Sequence, residues 1–161
     1  MAVLAAACGT TEVVPFGNGP RYRPEAGANA APGLTCGNHR ARHWAHIELF
    51  ADGKGVLVPA GIGIAAPRRD GAYVTGGRCR FPVYTEEPTG LVGLARDDLT
   101  LGDLFAVWGR PLARDSVIHV GGELWDGAPA DVALRPHAQI VVQEGGPLVE
   151  PHAHYEFPPG R

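Results

Sequence analysis

His43-Trp44-Ala45-His46-Ile47-Glu48-Leu49-Phe50, then Asp52-Gly53, then Val56-Leu57-Val58-Pro59, is the stretch on which the fold turns. The first run reads as a strand, Asp-Gly is a hairpin signal, and the apolar run after it reads as the returning strand. A sheet is therefore expected to start here.

The same pattern recurs downstream. Arg80–Tyr84 and Gly90–Leu94 read as strands joined by the acidic turn Thr85-Glu86-Glu87-Pro88-Thr89, and Pro82 predicts an edge position. Val117–Val120, Gly121-Gly122 and Glu123–Trp125 form a second hairpin signal, and Ala138–Val142 is a last strand. Ile62 and Ile64 alternate with glycine and either extend the sheet or turn away from it, while 65–77 reads as a polar, Gly-rich loop. One helix is expected at about 100–108. Thr100 can cap it, Asp103 suits the first turn, and Leu101, Leu104, Phe105 and Trp108 share one face. Gly109 and Pro111 end it. The expected fold is α+β and mostly β: one domain of short antiparallel strands covered by that helix.

Composition agrees. Of 161 residues, 23 are Gly and 15 are Pro, which argues against a helical bundle. With 14 basic and 17 acidic residues the net charge is −3, which excludes an electrostatic nucleic-acid binder. No apolar run is long enough to span a bilayer.

The chain begins Met1-Ala2-Val3-Leu4-Ala5-Ala6-Ala7-Cys8, which resembles the end of a bacterial lipoprotein signal with Cys8 as the lipidated residue. An ordinary apolar N-terminus with a buried cysteine is the alternative. Membrane contact is expected only through that anchor. Setting Cys8 aside leaves Cys36 and Cys79, a disulfide in an oxidising compartment or two isolated thiols in the cytosol. The expected organisation is a signal remnant at 1–8, a tether at 9–33, a β-rich domain at 34–145 and an irregular Pro-rich tail at 146–161. The expected location is extracytoplasmic, in the bacterial cell envelope.

Cys36, AHIELFADGKGVLVPAGIGI (45–64), Cys79, LTLGDLFAVWG (99–109) and FPPG (157–160) together resemble an uncharacterised family of small exported bacterial and archaeal proteins. Its pattern runs HxHAHL, PAGIGI, YWLHTHDxSGIIHIE, FTLGxFFxxWG and FPxG. The resemblance implies the fold and export. It implies less about activity, because Tyr84-Thr85-Glu86-Glu87 stands where the family has HTHD and Gly93 replaces a later histidine. Of HxHAHL, only His46 keeps its place, with His43 shifted by one position.

Cys36-x2-His39-x3-His43-x2-His46 is the densest ligand-like group, and His152-x-His154 has strand spacing. Imidazoles at such spacings suit copper or another transition metal. The competing reading is loop histidines that hydrogen-bond or face water. His43 and His46 fall on opposite faces of a strand, which limits their joint use. Glu86-Glu87 reads as an acid/base or ligand pair or, more simply, as a solvated turn. His119 and His137 read as strand residues, and Trp44, Phe50, Phe105, Trp108 and Trp125 as packing. Gly61-x-Gly63-x-x-Ala66 matches a dinucleotide fingerprint in form, but Pro67 follows where a helix is required. The only serine, Ser116, has no nucleophile-elbow context.

These readings predict a non-enzymatic envelope lipoprotein or secreted binding or accessory domain of unknown ligand. The alternative is a periplasmic copper-type protein using His43, His46, His39, His152 and His154. An enzyme requires Tyr84, Glu86 and a histidine to converge.

Overall fold

The computed structural model describes residues 24–161. Its longest strand, β1 (His43–Ala51), is the axis of a seven-stranded sheet. On one side β1 pairs in parallel with β11 (Gln139–Glu144), from His46 opposite Gln139 to Ala51 opposite Glu144. On the other side it has two antiparallel partners in succession. β8 (Leu91–Leu94) runs along His43–His46, and β2 (Lys54–Val56) along Leu49–Ala51. β9 (Val117–Val120) pairs with β11, and β10 (Glu123–Leu124) forms one edge beyond it; β7 (Val83–Tyr84) forms the other edge beside β8. Two small ribbons complete the fold: β3 (Ile64–Ala65) with β6 (Cys79–Arg80), and β4 (Arg68–Asp70) with β5 (Tyr73–Gly76).

Side-chain alternation gives the sheet two faces. Ala45, Ile47 and Leu49 of β1 join Val92, Leu94, Ile118, Ile140 and Val142 in one buried cluster under the helix. That helix, α1 (Leu101–Trp108), buries Leu101, Leu104, Phe105, Val107 and Trp108. Its start is fixed by a reciprocal cap. Asp103 N–H donates to Thr100 Oγ1 at 3.2 Å, and Thr100 N–H donates to Asp103 Oδ2 at 2.9 Å. Gly109 ends it in the left-handed region at φ 79°. At eight residues α1 is too short to be stable alone and depends on this packing. The fold is α+β and mostly β, as expected.

The cysteines meet as a disulfide, Cys36–Cys79, with Cα atoms 5.5 Å apart, inside the ordinary range for such bonds. Gly37 and Arg80 exchange backbone hydrogen bonds beside it. The bond staples the segment before β1 to β6.

Several details differ from the sequence expectation, each for a local reason. The returning strand stops at Val56, and Leu57–Pro59 leave the sheet. Ile62 and Ile64 turn away from it: 61–63 form a buried turn in which Ile62 N–H donates to Thr85 Oγ1, which in turn donates to Pro59 O. Residues 68–76 form the β4–β5 hairpin in place of a loop; its first strand is fully exposed, so no alternation marks it. Phe81-Pro82 splits the expected 80–84 strand into β6 and β7, because Pro82 cannot donate to a ladder. His137 sits in a turn at φ 58°, outside any strand. Trp125 is not core: it is 37% exposed, with its indole N–H donating to Ala128 O.

Residues 24–33, expected within a tether, are built into the body. The Trp108 indole N–H donates to Glu25 O, Gly63 N–H donates to Gly27 O, and Asn29 N–H donates to Val107 O. They cover the C-terminal end of α1. The expected signal remnant at 1–8, with Cys8, and residues 9–23 lie outside the described residues.

Candidate functional site

The sheet face opposite α1 carries Trp44, His46, Glu48 and Phe50 from β1, with Gln139, Val141 and Gln143 from β11. Most of these are polar, and burying them requires partners. Residues 147–161 supply those partners. They have no regular secondary structure, yet they cross this face as a strap.

The strap is fastened at successive points. Gln143 acts like a strand neighbour, its Nε2 donating to Val149 O at 3.0 Å and its Oε1 accepting from Val149 N–H at 2.7 Å. His152 Nδ1 lies 2.9 and 3.0 Å from the two Glu48 carboxylate oxygens. The Tyr155 ring stacks on His46, and Phe157 stacks on His137 with centroids 4.5 Å apart. Arg161 lies over the Trp44 ring at 4.6 Å and pairs with Glu87, while its carbonyl accepts from His137 Nε2.

His46 is the buried centre of this seam. Its Nε2–H donates to Thr89 O at 2.9 Å, and its Nδ1 faces the side-chain amide of Gln139, with Oε1 at 2.6 Å. A neutral ring with that Nε2–H has a bare Nδ1 and calls for the amide nitrogen in the facing position. The same orientation gives the Gln139 nitrogen, otherwise buried without a partner, its bond. Burial pushes the Tyr155 hydroxyl above its usual value, and Glu87 adds to the rise against Arg161.

A cleft of about 270 Å³ opens where β1 changes neighbours. Ile47, Leu49, Phe50, Val56, Val58 and Pro88 make it mainly apolar, with Glu48 and His152 at the strap side. Gly90, at φ 83°, lets the turn before β8 approach. A Cβ there would meet Ile47 O at 2.3 Å, and Ile47 N–H donates to Gly90 O. A second, shallower hollow of about 400 Å³ lies on the far side of Gln139, between His137, His154, Tyr155 and Phe157.

The candidate metal ligands are not brought together. His43 Nε2 faces Asp97 at 3.5 Å, His39 Nε2 donates to Thr35 O, both His46 nitrogens have partners, and His152 pairs with Glu48. His154 is exposed beside the second hollow. Among the described residues no group of three or more His, Cys, Asp or Glu side chains is placed to hold an ion. Glu86 and Glu87 are not a freely solvated turn: they pair with Arg80 and Arg161, respectively. Tyr84 is buried, and its oxygen accepts from Ala41 N–H at 2.8 Å. Burial pushes this hydroxyl up, the Ala41 bond opposes the rise, and Glu86 adds to it. Tyr84, Arg80 and Glu86 thus form a structural cluster beside the disulfide.

Sequence reading missed Glu48, Gln139, Gln143, Tyr155 and Arg161. The signal available was a pair of glutamines at even spacing on the last strand, which belong to one face. An aromatic pair at Tyr155 and Phe157 in the Pro-rich tail was the other. No family model, curated protein or solved structure matches this chain.

Proposed function

We propose that this chain is a non-enzymatic binding or accessory domain that works outside the cytoplasm, anchored to the envelope through Cys8 or secreted. The Cys36–Cys79 disulfide is the observation that carries this reading, because such bonds persist in oxidising compartments and are rare in reducing ones. No helix among the described residues is long and apolar enough to cross a membrane. The binding role is supported by the apolar cleft beside β1. The groups that an acid–base site would need are committed elsewhere, Tyr84 to Ala41 and Glu86 to Arg80.

Mass spectrometry of membrane and secreted fractions from cells making the full-length gene product tests the location. Diacylated Cys8, or a secreted chain with Cys36 and Cys79 oxidised, is expected. A cytosolic, unmodified chain with both thiols reduced overturns it.

A further inference from the structure

The cleft beside β1 has a chemistry more specific than its apolar walls suggest. Phe50, Leu57 and Pro88 line it as partly exposed apolar side chains next to the buried Ile47, Leu49, Val56 and Val58, and its volume of about 270 Å³ is fragment-sized, near the lower end for small-ligand pockets. The backbone holds it open. β8 covers β1 as far as His46, β2 covers it from Leu49, and Gly90 fixes the turn between them against Ile47.

Glu48 is the acidic side chain among the polar residues that line this cleft. His46 has both ring nitrogens engaged with Gln139 and Thr89. Glu48 differs, because both its oxygens face a single nitrogen of His152. An ionised carboxylate accepts about four hydrogen bonds, so one N–H leaves most of that capacity unused. The Glu48 side chain is 20% exposed and the His152 side chain 69%, so the existing pair lies at the solvent edge and is easily exchanged. An ammonium group brings three donors and the complementary charge, whereas an anionic head group meets repulsion.

We infer that this cleft binds a small amphipathic amine, its apolar body against the partly exposed Phe50, Leu57 and Pro88 and its ammonium head on Glu48 in place of His152. This rests on the binding-domain reading and names its ligand class. The two fail separately, since location is read in cells and amine binding on the purified protein.

The test is an NMR titration of the purified, disulfide-intact full chain with hexylamine, hexanol and hexanoate at neutral pH. Hexylamine is expected to shift the amides of 47–50, 56–58 and 89–90, binding at least tenfold more tightly than hexanol, with hexanoate weakest. Glu48→Gln is expected to remove the amine preference while hexanol binding persists, and His152→Ala to leave hexylamine binding intact or tighter. Should Glu48→Gln fail to fold, Glu48→Asp is expected to reduce the preference by moving the carboxylate back. The inference is overturned if no probe shifts these amides, if hexylamine and hexanoate bind equally, or if the amine preference survives in the Glu48 variant.

Discussion

The His46 imidazole and the Tyr155 phenol ring lie face to face, with centroids 3.6 Å apart and planes 6° from parallel. One belongs to the central strand and the other to an irregular segment, so this stack is the middle fastening of the strap. Tyr155→Ala is expected to cost about 2 kcal/mol, the sum of lost ring burial and stacking. Tyr155→Phe keeps the stack and is expected to change stability by less than about 0.5 kcal/mol. Urea unfolding gives the magnitudes, and amide exchange at Gln139 and His46 reports whether the seam loosens locally before global unfolding.

The disulfide closes a loop with a sequence separation of 43 residues. The loop-entropy estimate for that length is about 4 kcal/mol, so a Cys36→Ser/Cys79→Ser variant is expected to be less stable by roughly that amount. Wild-type protein with and without reductant, followed by urea unfolding, gives an independent measure. Equal midpoints would show that the staple contributes nothing.

Two glycines with similar φ make a controlled comparison. Gly63 (φ 72°) has Val83 O 2.2 Å from where a Cβ would sit, whereas Gly71 (φ 60°) has nothing within 4 Å. Gly71→Ala is expected to cost about 1 kcal/mol from backbone strain alone. Gly63→Ala adds a clash with a buried carbonyl and is expected to cost about 3 kcal/mol or more. Thermal and urea unfolding of the two variants separates strain from steric overlap.

Alkaline pH is expected to weaken the fold through Tyr84. Its folded-state value is raised above the ordinary 10.0, chiefly by burial. The folded form therefore holds the phenolic proton more tightly than the unfolded chain does. That contribution is complete below pH 10.0 and is lost as pH rises from there through the raised folded value. Tyr155 is shifted in the same direction and adds to the fall. Tyr84→Phe is expected to flatten the decline above pH 10.0 and to lower the neutral-pH plateau by about 1 kcal/mol, because Ala41 N–H loses its acceptor. Urea midpoints between neutral and strongly alkaline pH show both effects.

The legible parts of this fold are those whose information is local. Thr100, Asp103 and Gly109 write the limits of α1 within ten residues, and Gly121-Gly122 write the β9–β10 turn with φ of 59° and 84°. The Cys36–Cys79 disulfide is one of the two readings left open once Cys8 is set aside, and the structure takes it. The parallel pairing of β1 with β11 has no local mark, because strand direction depends on the path of the chain between them. The candidate site was the least legible part. His46 drew notice as a metal ligand, yet its partners Gln139, Thr89 and Tyr155 come from three separate segments. Glu48 carried no mark of a site, because its partner His152 lies 104 residues away in the segment that covers that side of β1. Within 147–161 the alternation of His152 with His154 and of Tyr155 with Phe157 was the one hint, because the segment forms no helix or strand and its prolines read as loop.

The adjacency of β1 and β11 also sets when this molecule can take shape. Among the described strands the central one is made first and its parallel neighbour last, with all the others between them. A topology so dominated by distant pairings has a high contact order, and such chains fold slowly and late. The seven-stranded sheet therefore cannot close around its central strand until β11, the last of its strands, has been made.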